Sequence, residues 1–114
     1  MKDLRQSDYC AQMLRLLADP DRLLIIQALR EGPKNVGEIS ASTEQKIANV
    51  SHHLKVLREG GLVSSQREGR YVRYSLSPGT YVPSKSGPVD HIDIGCCRIE
   101  IPNKEPMKLG QWKK

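Results

Sequence analysis

Between Val50 and Leu76 the sequence VSHHLKVLREGGLVSSQREGRYVRYSL changes period, from helical spacing to the two-residue alternation of a hairpin. Ile47, Val50, Leu54 and Leu57 fall at i, i+3, i+7 and i+10, which predicts one apolar stripe. The opposite face then carries Asn49, His52, Lys55 and Glu59. Gly60-Gly61 ends the helix, because glycine enters the left-handed backbone of a helix terminus at no steric cost. Leu62-Val63 starts an extended run to Arg67-Glu68-Gly69-Arg70, and on the return Tyr71, Arg73 and Ser75 alternate with Val72, Tyr74 and Leu76. One face of such a hairpin covers a core while the other shows arginine.

Upstream the periodicity predicts three more helices. Residues 3 to about 18 place Ser7, Cys10, Leu14 and Leu17 on a narrow stripe with Met13 and Leu16 beside it. Asp19-Pro20 supplies an N-cap and a proline at the first helical position, opening a helix from about 20 to 31 that Gly32-Pro33 ends. Its apolar side is Leu23, Ile26 and Ala28-Leu29. A short helix from about Val36 to Ser42 and a turn over Ser42 to Lys46 lead into the helix that opens near Ile47. The sum is mainly α with a small β-hairpin, in the order of a winged helix-turn-helix.

At 114 residues the chain makes one compact domain and leaves no room for a second, catalytic one. It has no Phe, so its core is aliphatic and small, which favours sharing a core across a homodimer interface. Lys plus Arg number 18 against 13 Asp plus Glu, and the net charge of +5 fits a polyanionic partner. Position says more than the total: Lys46, Lys55, Arg58, Arg67, Arg70 and Arg73 all lie in the fourth helix and the hairpin. A solvated charged face is the plain alternative for charges considered alone. No run approaches the roughly 20 apolar residues of a membrane helix, so a cytoplasmic protein is expected. Three cysteines, an odd number, suggest free thiols there rather than a disulfide. There is no phosphate-cradling glycine loop or nucleophile elbow, and His52-His53 has no acid or nucleophile at catalytic spacing, so an enzyme is not expected.

From Leu17-Ala18-Asp19-Pro20-Asp21-Arg22-Leu23 through the VSHHLKVLREGGLV segment to EGRYVRYSL, three motifs occur in order. In this the chain resembles the ArsR/SmtB family of metal-responsive bacterial repressors. The resemblance covers roughly the first three quarters of the chain and implies a homodimer on double-stranded DNA with a palindromic operator. The N-terminal half of a recognition helix contacts base edges, which makes Asn49, Ser51 and His52 the expected sequence readers, with Lys46 just ahead of them and Lys55 on the same face. Asn49 would address adenine through both amide groups. His53 stands at the family's histidine position, for a phosphate or cap contact or as a satisfied half-buried ring. Arg67, Arg70 and Arg73 suit a wing that meets phosphates or a narrow minor groove.

Two departures bear on the effector. The family's common Cys-x-Cys pair is replaced by Asn35 and Gly37, and the turn before the recognition helix has Thr43 and Gln45 in place of leucines, so a looser joint is expected. After Leu76, Ser77-Pro78-Gly79 and Pro83 to Pro88 are turn chemistry where many members have a final helix. The expected division is therefore a DNA-binding and dimerisation domain over 1–82 and an extension over 83–114. In that extension residues 91–101 read as one strand, bulged where its phase slips at Gly95-Cys96-Cys97, and the end beyond Pro102 reads as disordered.

Cys96 and Cys97, with Cys10 from the first helix of a second subunit, are the candidate metal ligands, since soft thiolates select soft ions and trivalent arsenic takes three sulfurs. No cofactor is required; arsenite or a soft metal is the expected effector. His91 and Asp93 add donors that zinc would accept. The other reading of the same residues is structural: Cys10 as a buried thiol beside Leu14 and Leu17, Cys96 and Cys97 as packing, and a repressor that answers to thiol oxidation or to no small effector.

Overall fold

A computed structural model of the chain describes residues 4–102, so the expectation for the lysine-rich end beyond Pro102 lies outside the described residues. Four helices come first: α1 (Leu4–Leu17), α2 (Pro20–Leu29), α3 (Val36–Thr43) and α4 (Ile47–Glu59). Five strands follow: β1 (Val63–Glu68), β2 (Tyr71–Leu76), β3 (Tyr81–Val82), β4 (Val89–Asp93) and β5 (Arg98–Pro102). They form an antiparallel pair, β1-β2, and a three-stranded antiparallel sheet in the order β3-β4-β5.

Local chemistry explains where the helices begin. Asp19 Oδ1 accepts from the backbone N–H groups of Asp21 at 2.9 Å and Arg22 at 3.1 Å, with Pro20 opening α2. Asn35 makes a capping box with Glu38, each side chain accepting from the other's backbone N–H at 2.9 Å. The residue standing where a metal-binding cysteine is common is thus a helix cap.

The joint between α3 and α4 is not loose. Glu44 takes a left-handed conformation (φ 54°), and Thr43 Oγ1 donates to the Ile39 carbonyl at 2.7 Å. Ser40 Oγ donates to the Gln45 carbonyl, and Gln45 Nε2 donates to the Asp21 carbonyl at 3.1 Å. Hydrogen bonds from Thr43 and Gln45 thus tie the joint to α3 and α2.

The wing follows the predicted register, Val63 opposite Leu76 through Glu68 opposite Tyr71, with Gly69 at φ 62° in the two-residue turn. At its base Lys34 and Tyr74 exchange backbone hydrogen bonds of 3.0 and 2.8 Å, which ties β2 to the segment ahead of α3.

The tail departs from expectation. Residues 91–101 are not one bulged strand: the chain reverses at Ile94 to Cys97, and β4 pairs with β5 so that Ile92 faces Ile99. A phase slip at glycine accompanies a hairpin as well as a bulge, and Gly95 at φ 93° serves the reversal. The expected boundary at 82/83 falls between β3 and the other strands of its sheet. The sheet spans that boundary, and Ile92, Ile94 and Ile101 are buried in one core with Met13, Leu17, Ile25, Ile26, Leu29, Ile39, Val50, Leu54 and Leu57.

Asp90, 1% exposed, anchors the sheet. It accepts from Tyr81 Oη and from the Ser84 N–H at 2.8 Å, and Arg30 Nε lies 4.0 Å away. Burial, then the bond to Asp90 and its negative charge, raise the Tyr81 hydroxyl above its ordinary pKa of 10.0, against the opposing effect of Arg30.

On α1 the buried line is Met13 and Leu17, while Leu14 is 43% exposed and Cys10 half-buried. The expected stripe is rotated because the helix leans on the end of α4, where Leu16 lies against Gly60.

Candidate nucleic-acid interface

Helix α4 buries Val50, Leu54 and Leu57 completely and adds His53 at 7% exposure, whereas Ser51, His52 and Lys55 stand exposed. Ile47 leaves the predicted stripe and is 58% exposed, because at the first position of the helix it overhangs the core. Lys46, the N-cap, is exposed and makes no side-chain cap, and the first turn holds no acidic residue. The positive end of the helix dipole is therefore unopposed within α4 itself.

Two expected readers are otherwise engaged. Asn49 Nδ2 donates to Asp21 Oδ2 at 3.2 Å and to Gln45 Oε1 at 2.9 Å. Both of its amide hydrogens are thus committed inside the domain, and two-point recognition of adenine would require breaking these bonds. His53 faces inward. Its Nδ1 accepts from Arg22 Nη1 at 3.2 Å, since arginine has only donors, and its Nε2 lies 3.9 Å from Asp21 Oδ2. In this position the ring is 7% exposed and has Arg22 and Asp21 beside it.

In the wing, Arg67 and Arg70 are exposed. Arg73 is held by the body instead: Nε donates to Glu68 Oε1 at 3.1 Å, and Nη1 donates to the Pro33 carbonyl at 3.3 Å with Glu38 at 4.0 Å. It braces the wing rather than offering a free cation. Arg58 Nη1 donates to Ser65 Oγ at 3.3 Å, linking α4 to β1.

Arg22 was not singled out from the sequence, yet it joins three helices. Nε donates to the Leu16 carbonyl at 2.7 Å and Nη2 to the Arg15 carbonyl at 3.1 Å, so it caps α1 while holding His53 of α4. Asp19, Asp21 and His53 bring three potential ligand atoms within 4.8 Å of one another. The Arg22 guanidinium lies 3.9 Å from Asp19 and 3.2 Å from the His53 ring, which makes this an ion-pair network at a helix N-terminus. Burial pushes the Asp19 carboxyl up. The Arg22 backbone N–H, the Arg22 charge, the Asp21 N–H and His53 outweigh this and hold the pKa below the ordinary 3.8.

The cysteines correct the expectation of free thiols. Cys10 and Cys96, 86 residues apart in sequence, are joined as a disulfide with Cα atoms 6.0 Å apart, and Cys97 is free and exposed. The turn between β4 and β5 brings Cys96 onto α1 of its own chain, so Cys10 need not come from a second subunit. In this state two of the three sulfurs have no thiolate to give, and among the described residues no cysteine belongs to a group that converges on a metal position. The bonded thiols do not fit a three-sulfur metal site. His91 is cross-strand from Glu100 and Asp93 from Arg98, within strands that place them apart from any such group.

Comparison with known proteins agrees with this architecture. Residues 19–65 match the family described as bacterial regulatory protein, arsR family. The HTH-type transcriptional regulator NmtR of Mycobacterium tuberculosis is 40% identical over 74 residues, which are 65% of this chain and 62% of that protein. The chain thus spans about three fifths of the length of the curated relatives it matches, 62% and 57% for the first two. Among solved structures, NolR from Sinorhizobium fredii superposes with a TM-score of 0.63 at 30% identity, over 69% of this chain and 84% of that one. The homodimeric winged helix-turn-helix DNA-binding domain of a Mycobacterium bovis protein gives 0.61 at 30% identity, over 68% and 73%. Among the described residues no helix is long and apolar enough to cross a membrane.

Proposed function

The chain belongs to the arsR family of bacterial regulatory proteins, and on that premise we propose that it is a sequence-specific transcriptional repressor. It acts in the cytoplasm, as a homodimer on a palindromic operator, and catalyses no reaction. One observation carries the reading. Lys46, Ser51, His52 and Lys55 of α4 are exposed, and so are Arg67 and Arg70 of the wing that α4 leads into, which offers groups for both base edges and phosphates. The net charge of +5 supports it, and so does the homodimeric state of the Mycobacterium bovis relative.

The effector reading moves from ligation toward oxidation. The Cys10–Cys96 bond favours a repressor that responds to the redox state of its thiols: two thiols lose two protons and two electrons to an oxidant such as a peroxide, and one sulfur–sulfur bond forms. The bond fastens α1 to the β4-β5 turn, and an effector alters DNA binding only through such a difference between free and bound conformations. Gel-shift titration of fully reduced and of oxidised protein on operator DNA tests both parts. The expected result is binding in both forms with affinities about 5- to 150-fold apart, and equal affinities for a Cys10→Ser, Cys96→Ser double variant. Arsenite added to reduced protein distinguishes a metal input. No retardation of any duplex would refute the repressor reading, and equal affinity of the two wild-type forms would refute the redox part.

A further inference from the structure

Within the DNA reading just proposed, on which this step rests, we infer that Ile47 is a specificity-determining residue that reads the 5-methyl group of thymine in the major groove. Val50, Leu54 and Leu57 of the same helix are 0% exposed, yet Ile47 is 58% exposed. It occupies the first position of α4, with exposed Lys46 before it and exposed Ala48, Ser51 and His52 around it. That is the end of a recognition helix that reaches furthest into the groove. A β-branched side chain on a helix has essentially one χ1 rotamer, so its methyl groups are held in a fixed direction.

Among the four bases only thymine presents a methyl group in the major groove, and its recognition is by apolar contact. The alternative way to read an A·T pair, two-point hydrogen bonding of adenine by Asn49, is unavailable while its Nδ2 serves Asp21 and Gln45 at 3.2 and 2.9 Å. The structure thus moves A·T recognition from the adenine edge to the thymine edge, and from an amide to an alkyl group. Ser51, His52 and Lys55 remain for polar contacts to neighbouring pairs.

The test uses the full chain, reduced, and a duplex selected by it from random sequence. Each thymine is replaced in turn by deoxyuridine, which removes only the methyl group. Wild type should lose about three- to five-fold in affinity at one position per half-site, the worth of one buried methyl. Ile47→Ala should bind the thymine and uracil duplexes equally, and Ile47→Val should keep part of the discrimination. An unchanged thermal midpoint for both variants would confirm that an exposed side chain was altered. Wild-type indifference to uracil at every position overturns the inference and leaves the DNA reading standing. So does undiminished discrimination by Ile47→Ala. Failure to select any duplex brings down the DNA reading itself.

Discussion

Arg22 commits donors to the carbonyls of Leu16 and Arg15 and to the ring of His53, at 2.7, 3.1 and 3.2 Å, and so fixes the angle at which α1, α2 and α4 meet. Removing it takes a donor from the Leu16 carbonyl and from the buried His53 ring, and leaves the Arg15 carbonyl with the Ala18 N–H at 3.3 Å. Arg22→Ala should therefore cost about 2 to 4 kcal/mol of stability in urea unfolding, and Arg22→Lys should recover little, since lysine lacks the planar fork. Asp19 sets a pH dependence. Its folded pKa is lowered, so its contribution is present above the ordinary value of 3.8 and is lost as pH falls through the folded value. Asp19→Asn keeps a competent cap but loses the charge-dependent part, so its midpoint should lie somewhat below wild type at pH 7 and decline less steeply below pH 4. At this scale the sequence showed residue types but not partners. Asp19 was legible as an N-cap because capping is local. The partners of His53 and Asn49, Arg22 and Asp21, lie 31 and 28 positions away and carry no local signal.

The wing and the tail sheet show what periodicity can and cannot resolve in an element. Alternation over Tyr71 to Leu76 gave the hairpin and its register, because a two-residue turn with glycine leaves little choice. It did not separate the arginines, which differ in what lies beside them. Arg70 is exposed at the tip, whereas Arg73 is bonded to Glu68 and to the Pro33 carbonyl. Arg70→Ala should lower the slope of log affinity against log salt by about one unit with no change in thermal midpoint. Arg73→Ala should lower the midpoint as well, because it frees the wing from the segment ahead of α3. In the tail, alternating isoleucines marked extended chain correctly. The slip at Gly95 was compatible with both a bulge and a reversal, and only burial of Ile92, Ile94 and Ile101 against the helices selects the reversal.

For the whole molecule, the order of helices and wing was legible because boundaries carry their own signals: Asp19-Pro20, Gly32-Pro33, Gly60-Gly61 and Gly69. The place of the tail was not. Its sheet completes the core that the four helices begin, and its turn carries Cys96 to Cys10, contacts between segments some 80 residues apart that no local pattern encodes. The sheet and the core run across the expected division at residue 82, and the Cys10–Cys96 bond fastens the first helix to the last hairpin. In the proposed homodimer the two recognition helices should lie one DNA turn apart, about 34 Å. Selection of duplexes from a random pool by the reduced chain, with sedimentation of the recovered complex, tests this directly. The account predicts an inverted repeat with half-site centres about 10 base pairs apart and two chains on each duplex; a pool with no shared sequence, or a single chain bound to an asymmetric site, would contradict it.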